Sequence, residues 1–425
     1  MSRKAPEGWT TTSLGEISEH LSRGEAPKYA DEQTGVWAMG QRSVREEGID
    51  LSYLRPHSAV KAVKDQSILK PRDICINSTG TGTLGRVGLW QKEQTGVVFA
   101  DTHVTILRTK SSVALPRFVF EWLRSPVAQE AIFTECVTGS TNQIELSRSA
   151  LRELSLNLPP LHEQRRIAEI LSSVDDAIAA TRAVIEQTRK VKQGVLERLL
   201  TKGVGHTRFN QTEIGEIPEG WSVAKIDEIG EVMVGRQRSP AFTAGEEFPY
   251  LRVANVFDNF IDTSDVLSMN FTDAEVKRYL LKAGDILLNE GQSLHLVGRN
   301  ARYDGDPVAC CFQNTLIRFR ATELTNPDFA FALMQFLYGK GRFSEIATQT
   351  TSVAHLGSKR FASLLVPVPP LEEQREIGMV HNNLLETEAF QKSQLDQLIS
   401  TKSALVSDLL TGRRRVTEAL PIAAE

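Results

Sequence analysis

What most limits the folds open to this chain is that it is written twice. Glu7-Gly8-Trp9 returns as Glu219-Gly220-Trp221, and Leu14, Glu16 and Ile17 are answered by Ile226, Glu228 and Ile229, all 212 residues on. Ile49-Asp50, Asp73-Ile74 and Asn77 recur at the same shift as Ile261-Asp262, Asp285-Ile286 and Asn289. Later, Pro159-Pro160-Leu161 with Glu163-Gln164 and Ile167 reappears as Pro369-Pro370-Leu371 with Glu373-Gln374 and Ile377, shifted by 210. Leu199-Leu200-Thr201 and Leu409-Leu410-Thr411 keep that shift. A solenoid needs many short repeats; two long copies with their matches in order require two similar halves, each a domain followed by a helix.

Each half opens with a mixed region. Short β-like runs such as Ser67-Ile68-Leu69, Asp73 to Ile76 and Gly96 to Ala100 alternate with Gly, Pro and polar turns, which predicts an α+β domain. A helical patch follows, Arg117 to Ala131 in one half and Asp328 to Phe343 in the other, with Phe118 and Phe329 in equivalent places. The proline pair then opens a long helix. In the first copy Ile167, Leu171, Val174, Ile178, Thr181, Ile185, Thr188, Lys192, Val195 and Leu199 are spaced alternately four and three, the period of a coiled-coil seam. In the second, Ile377, Leu384, Leu395, Leu398, Leu405 and Leu409 hold the same register, interrupted by His381, Glu388, Gln391 and Lys402. Gly203 and Gly412 punctuate the ends. At 1.5 Å per residue, roughly forty residues make a rod of about 60 Å. The expected boundaries are a domain at 1–158, a helix at 159–202, a domain at 203–368, a helix at 369–412 and a tail at 413–425.

Composition narrows the function. The chain has 425 residues, too many for one ordinary domain. Its longest apolar stretch, Phe329 to Tyr338, is far short of the ~20 residues a membrane helix needs, and the start lacks the apolar core of a signal peptide. Cys75, Cys136, Cys310 and Cys311 form no CxxC pair, so neither a zinc site nor a disulfide framework is expected, and a reduced, cytoplasmic protein is. Charge weighs against a lone DNA binder: the net is −4, and the segments ending at 158, 202, 368 and 425 carry +1, +2, −4 and −3. Any DNA contact must be local or shared with a partner.

Motifs that look catalytic fail on context. Gly80-Thr81-Gly82-Thr83-Leu84-Gly85 matches GxGxxG, but a dinucleotide fingerprint needs a helix at those glycines, and Arg86 to Gln91 leads instead to another β-like run. The second half loses the pattern in Glu290 to Arg299. Asn157-Leu158-Pro159-Pro160 only loosely resembles the Asn/Asp-Pro-Pro-aromatic motif of amino-methyltransferases, because Leu158 intrudes and Leu161 is not aromatic. There is no Walker A lysine motif, HExxH or nucleophile elbow. The chain reads as non-catalytic, with no cofactor or metal of its own.

What remains is a set of polar loops at matching places. In the first half the candidates are Arg42, Asn77, Thr79, Thr81, Thr83, Arg86, Thr102, His103, Ser140 and Asn142. In the second they are Arg252, Asn289, Gln292, Ser293, His295, Arg299, Gln313, Asn314, Thr351 and His355. Hydroxyls, amides and arginines are the groups that read base edges and bind phosphates, arginine suiting guanine and asparagine or glutamine suiting adenine. The same residue types also simply populate turns. The copies differ most in these loops while agreeing in the helices and Gly-Trp segments, as readers of two different half-sites would.

The doubled Gly-Trp segment, the Arg72-Asp73-Ile74 and Gly284-Asp285-Ile286 strands and the doubled Pro-Pro-Leu-x-Glu-Gln-x-x-Ile helix opening resemble the specificity subunit of type I restriction–modification systems across nearly the whole chain. Two modest departures are His381-Asn382-Asn383 in the second helix and Arg72 where the second copy has Gly284. The resemblance implies two mixed α/β target-recognition domains held apart by an antiparallel coiled-coil pair, each reading half of a bipartite site in double-stranded DNA. It also implies two methyltransferase subunits docked on the chain, restriction–translocation subunits joining them, and adenine methylation with S-adenosylmethionine bound by those partners. The competing reading is a coiled-coil adaptor whose paired domains bind only protein.

Overall fold

The computed structural model describes residues 5–416, except 33, 47, 59, 81, 92–95, 140–143, 240 and 350–351. It divides into two compact units, residues 1–181 with 394–425 and residues 182–393, so each unit takes part of both long helices.

In the first unit, strands β1 (Ser18–Arg23), β2 (Ile74–Asn77), β3 (Val87–Leu89) and β4 (Val104–Thr109) form an antiparallel sheet in the order β1-β4-β2-β3. In the second, β5 (Gly230–Val234), β6 (Ile286–Asn289), β7 (Asn300–Arg302) and β8 (Leu316–Ala321) repeat it as β5-β8-β6-β7. A smaller sheet accompanies each: Val36–Met39 lies between Arg55–Pro56 and, in parallel, Val97–Ala100, as Glu246–Leu251 lies between Leu267–Phe271 and, in parallel, Cys311–Phe312. The expected strand at Ser67-Ile68-Leu69 is a correction. Asp65–Ser67 makes a 3-10 turn and only Ile68 bridges to Phe99, because the carbonyls of Lys64 and Asp65 accept the amides of Ser67 and Ile68 within the turn.

Helix α1 (Pro116–Arg124) covers the first main sheet, α2 (Leu161–Lys202) is the first long helix, α3 (Pro327–Gly339) covers the second sheet and α4 (Leu371–Leu409) is the second long helix. The helical patch expected from Arg117 to Ala131 is broken at Ser125, where Pro126 opens a new helix whose first turn Ser125 caps. Phe118 and Phe329 are fully buried in the two main cores, and each core also holds a Gly-Trp tryptophan and parts of both long helices. A side chain of that size contributes about 1.5–3 kcal/mol when removed from water.

The doubled motifs turn out to be fasteners. Trp9 Nε1 donates to Glu163 Oε2 at 3.1 Å, and Trp221 Nε1 to Glu373 Oε2 at 2.8 Å, so the Gly-Trp segment is tied to the first turn of the helix that follows its domain. Gln164 donates to the carbonyls of Pro159 and Val113 and accepts from the Leu115 amide; Gln374 does the same with the Pro369 carbonyl and the Asn326 amide. Thr10–Ser13 pairs with Ser155–Leu158 just before one proline pair, and Ser222–Lys225 with Leu365–Val368 before the other. The Asp of each Asp-Ile strand receives a two-pronged arginine from the neighbouring strand: Arg108 reaches Asp73 at 2.8 and 2.7 Å, and Arg320 reaches Asp285 at 2.6 Å twice. Burial pushes the Glu163 carboxyl up, but Arg415, the Val416 amide and Trp9 together hold it below the ordinary value.

Within each unit the long helices run antiparallel. In the first unit Ile167 and Leu171 of α2 share a core with Leu409 of α4, and Asp175 meets Lys402. In the second, Leu196 and Leu200 share a core with Ile377, and Lys192 meets Glu388 at 2.6 Å. Every residue of the two expected seams is buried or half-buried. The interruptions behave differently. Glu388 is neutralised: burial raises its carboxyl, but bonds from Lys192, Lys392 and Arg189 bring it down to about 2. His381 is fully buried and neither ring nitrogen has a hydrogen-bond partner among the described residues. Burial, with Lys192 and Arg302 nearby, pushes it down to about 3. Arg72 adopts φ 73°, the left-handed region its counterpart Gly284 also occupies at 96°.

Candidate nucleic-acid interface

The glycine-rich segment after β2 is a tight turn that leads into strand β3, without the helix a dinucleotide would need. The Gly85 amide bonds back to the Asn77 carbonyl and the Asn77 amide to the Arg86 carbonyl, both at 2.9 Å. In the second unit the Gly298 amide and the Asn289 carbonyl, and the Asn289 amide and the Arg299 carbonyl, repeat both bonds at 2.9 Å. Gly298 has no room for a side chain: its φ is +76°, and a Cβ would stand 2.5 Å from the Phe343 ring. The two loops therefore close in the same way while carrying different residues, the second being one residue longer, with Arg86 and Arg299 in equivalent places.

Asn77 and Asn289 are corrections. Both are fully buried, and each donates its side-chain amide to a backbone carbonyl of a neighbouring loop, Gln41 at 3.1 Å and Val256 at 3.2 Å. They anchor these loops from within and are not exposed to any ligand.

Around that anchor the first unit gathers several candidates. The Thr79 hydroxyl lies 3.0 Å from Gln41 Oε1 and 2.8 Å from His103 Nδ1. Arg42, next to Gln41, is exposed and sits over the Tyr53 ring, which Arg45 also covers. Thr102 and His103 are exposed at the tip of the turn before β4. That turn is held by Asp101, whose carboxylate accepts the His103 amide at 2.8 Å; burial raises this carboxyl above its ordinary range, partly offset by that bond. The half-buried Thr83 and Arg86 spend bonds on their own loop, to the carbonyls of Thr79 and Gly80 and of Gly82. Thr81, Ser140 and Asn142 lie outside the described residues.

In the second unit His355 stands on a short strand paired with Gly291-Gln292, and its Nδ1 is 2.9 Å from Glu290 Oε2. Gln292 accepts the Ser293 amide, and the Ser293 carbonyl closes the turn by accepting the amides of Leu296 and Val297. His295 is exposed, its carbonyl 3.4 Å from the Tyr338 hydroxyl. The Arg299 guanidinium sits over the Phe257 ring, 4.6 Å from its centroid, with its Nε buried and without a hydrogen-bond partner among the described residues. Arg252 is engaged with Asp265 at 2.6 Å. Half-buried Gln313 and Asn314 are tied by their backbones to Leu251 and Arg236. Thr351 lies outside the described residues.

Sequence reasoning missed Gln41, Tyr53, Glu290 and Phe257, which position the candidates. Phe257 sits on the hairpin Val256–Phe257 and Phe260–Ile261, where it and Phe260 are both exposed. Aromatic residues flanking an Asp-Asn turn were the available signal. Among the described residues no three His, Cys, Asp or Glu side chains are grouped to hold a metal ion, and no helix is long and apolar enough to cross a membrane.

The comparisons with known proteins agree with this doubled plan. The family described as the type I restriction modification DNA specificity domain matches residues 6–188 and again 218–400. The type I restriction enzyme MjaVIII specificity subunit of Methanocaldococcus jannaschii is 26% identical over 424 residues, covering 97% of this chain and 94% of that protein. The EcoKI specificity subunit of Escherichia coli is 22% identical, covering 88% and 81%. In fold, the chain is similar to the S subunit of a type I restriction–modification system from M. genitalium, with a TM-score of 0.55, 17% identity and coverage of 96% and 97%. A chain from a study of type I system assembly and conformational transition gives 0.59, 17%, and coverage of 97% and 100%. With the family matching one domain in each half, the chain belongs to the DNA specificity proteins of type I restriction–modification systems.

Proposed function

We propose that each unit reads one half of a bipartite target in double-stranded DNA through its exposed loop cluster, and that the long helices set the half-site spacing and dock two methyltransferase subunits. The observation that carries this is the pair of loops closed by the same backbone bonds and anchored by Asn77 and Asn289, the two loops bearing different side chains. A common frame with exchanged readers is what two different half-sites require. Arginine, amide and hydroxyl groups discriminate base edges in the major groove. Methylation of adenine falls to the partner subunits, which bind S-adenosylmethionine; restriction–translocation subunits join the same assembly, in the cytoplasm. The chain's small negative net charge fits a reader whose partners supply much of the phosphate clamp.

The test lengthens both long helices by one heptad, near residues 181 and 394, which keeps the seam and adds about 10 Å. Methylated sites are mapped before and after in cells that carry the methyltransferase. The expected outcome is altered spacing between unaltered half-sites. Unaltered spacing refutes the ruler, and a chain that partners methyltransferase without directing methylation favours the adaptor reading.

A further inference from the structure

One small hairpin is made in each unit with the same inward face and a different outward one. In the first unit Val44 pairs with Ile49 and Arg45 with Gly48; in the second, 212 residues on, Val256 pairs with Ile261 and Phe257 with Phe260. The Asp50 amide donates to the Ser43 carbonyl and the Asp262 amide to the Asn255 carbonyl, each at 2.8 Å, so the two hairpins close alike. Side chains along a strand alternate between its faces. Val44 and Val256 are fully buried, in the cores that Ile49 and Ile261 pack against. The outward pair is what changes: Arg45 and Gly48 give way to Phe257 and Phe260.

Folding does not require those rings, since arginine and glycine serve in the same frame. Phe260 is 59% exposed and Phe257 38%, with their centroids 6.3 Å apart. The hairpin is also fixed to the loop that follows β6. The Asn289 side chain, which anchors that loop, donates to the Val256 carbonyl at 3.2 Å, and the Asn259 amide donates to the Asn300 carbonyl of β7 at 2.9 Å. Phe257 itself lies under Arg299. The tip therefore borders the same face as the loop.

The chemistry of the tip selects what it touches. Asp258 and Asn259 stand between the two rings and bring an acid but no cation, which suits phosphate poorly. Base edges in the major groove offer one apolar group, the C5-methyl of thymine, which phenylalanine can contact. We propose that Phe260 reads a thymine methyl in the half-site of the second unit, with Phe257 holding Arg299 beside it. This rests on the reading of each unit as the reader of one DNA half-site, and it makes the hairpin a second reading element next to the loop. The first unit has Gly48 at the position of Phe260, so a thymine preference of this origin belongs to one half-site alone.

The experiment assembles the wild-type chain, F260A and F260L with the methyltransferase and measures binding to the cognate duplex by fluorescence anisotropy. The thymines of the target are replaced one at a time by deoxyuridine, which removes only the methyl. At one thymine, in one half-site, the wild type should lose about fourfold, the worth of one buried methyl-sized group. F260A should bind the unmodified duplex more weakly by about fourfold or more, lose nothing further at that thymine, and match the wild type on a scrambled duplex. F260L, still apolar, should keep part of the sensitivity. Thermal unfolding and methyltransferase retention should not change. A wild type indifferent to every thymine methyl overturns the proposal, as do deoxyuridine losses that F260A shares in full or an equal weakening on the scrambled duplex. So does loss of the methyltransferase with DNA binding intact, which would make the tip a protein contact. A wild-type assembly that does not distinguish cognate from scrambled duplex defeats the DNA reading itself.

Discussion

Replacing His381 with leucine should stabilise the second unit, by an amount that grows as the pH falls. His381 is fully buried, tilted against Phe331 with ring centroids 5.5 Å apart, and Lys192 of α2, Arg302 of β7 and Asp328 of α3 are the charged groups that act on it. Two effects combine. Each buried polar nitrogen without a partner costs about 1–3 kcal/mol and His381 has two, so a leucine of similar volume should gain about 2–6 kcal/mol at pH 7. The second effect is proton linkage. The unfolded chain binds a proton below about 6.5, whereas burial holds the folded imidazole down to about 3. Between those values only the unfolded state is protonated, so lowering the pH drains stability at up to about 1.4 kcal/mol per unit. At pH 5 the wild type should have lost about 2 kcal/mol that H381L keeps. Urea unfolding of both proteins at pH 7 and pH 5 measures the two gaps. A variant no more stable at pH 7, with the same gap at pH 5, would refute the account of His381 as a neutral, unsatisfied core residue.

Three further outcomes are expected. R299A should lose about 1–3 kcal/mol of binding on the cognate duplex and little on unrelated DNA; an equal loss on both marks a phosphate contact instead. D285N should destabilise its unit by about 2–4 kcal/mol, since it leaves Arg320 without its two-pronged acid in a site where Asp285 is 1% exposed, and a shift in the urea midpoint worth under about 1 kcal/mol contradicts this. R72G should raise the melting temperature slightly, because a left-handed residue other than glycine carries about 1–2 kcal/mol of strain, only partly offset by glycine's greater freedom when unfolded.

The repeat made the fold legible because each matched motif is one end of a contact made twice. Trp9 and Trp221 recur because Glu163 and Glu373 do, and the Asp-Ile strands recur because Arg108 and Arg320 answer them. The interface was less legible, and for the same reason. Asn77 and Asn289 match across the copies because they are buried anchors, so their agreement pointed to scaffold rather than to reading. The supporting residues escaped notice because Gln41 and Phe257 come from segments far from the glycine loops, while Glu290, within its loop, finds its partner His355 only through folding. Glu388 looked like a flaw in the seam; three cations from two helices make it a join.

The central claim is that the two units read two half-sites independently. Its most direct measurement exchanges residues 203–368 for the equivalent segment of a relative such as the MjaVIII subunit and maps methylated adenines in the host. The account predicts that one half of the target changes while the other half stays. A target altered in both halves, or in neither, would contradict it.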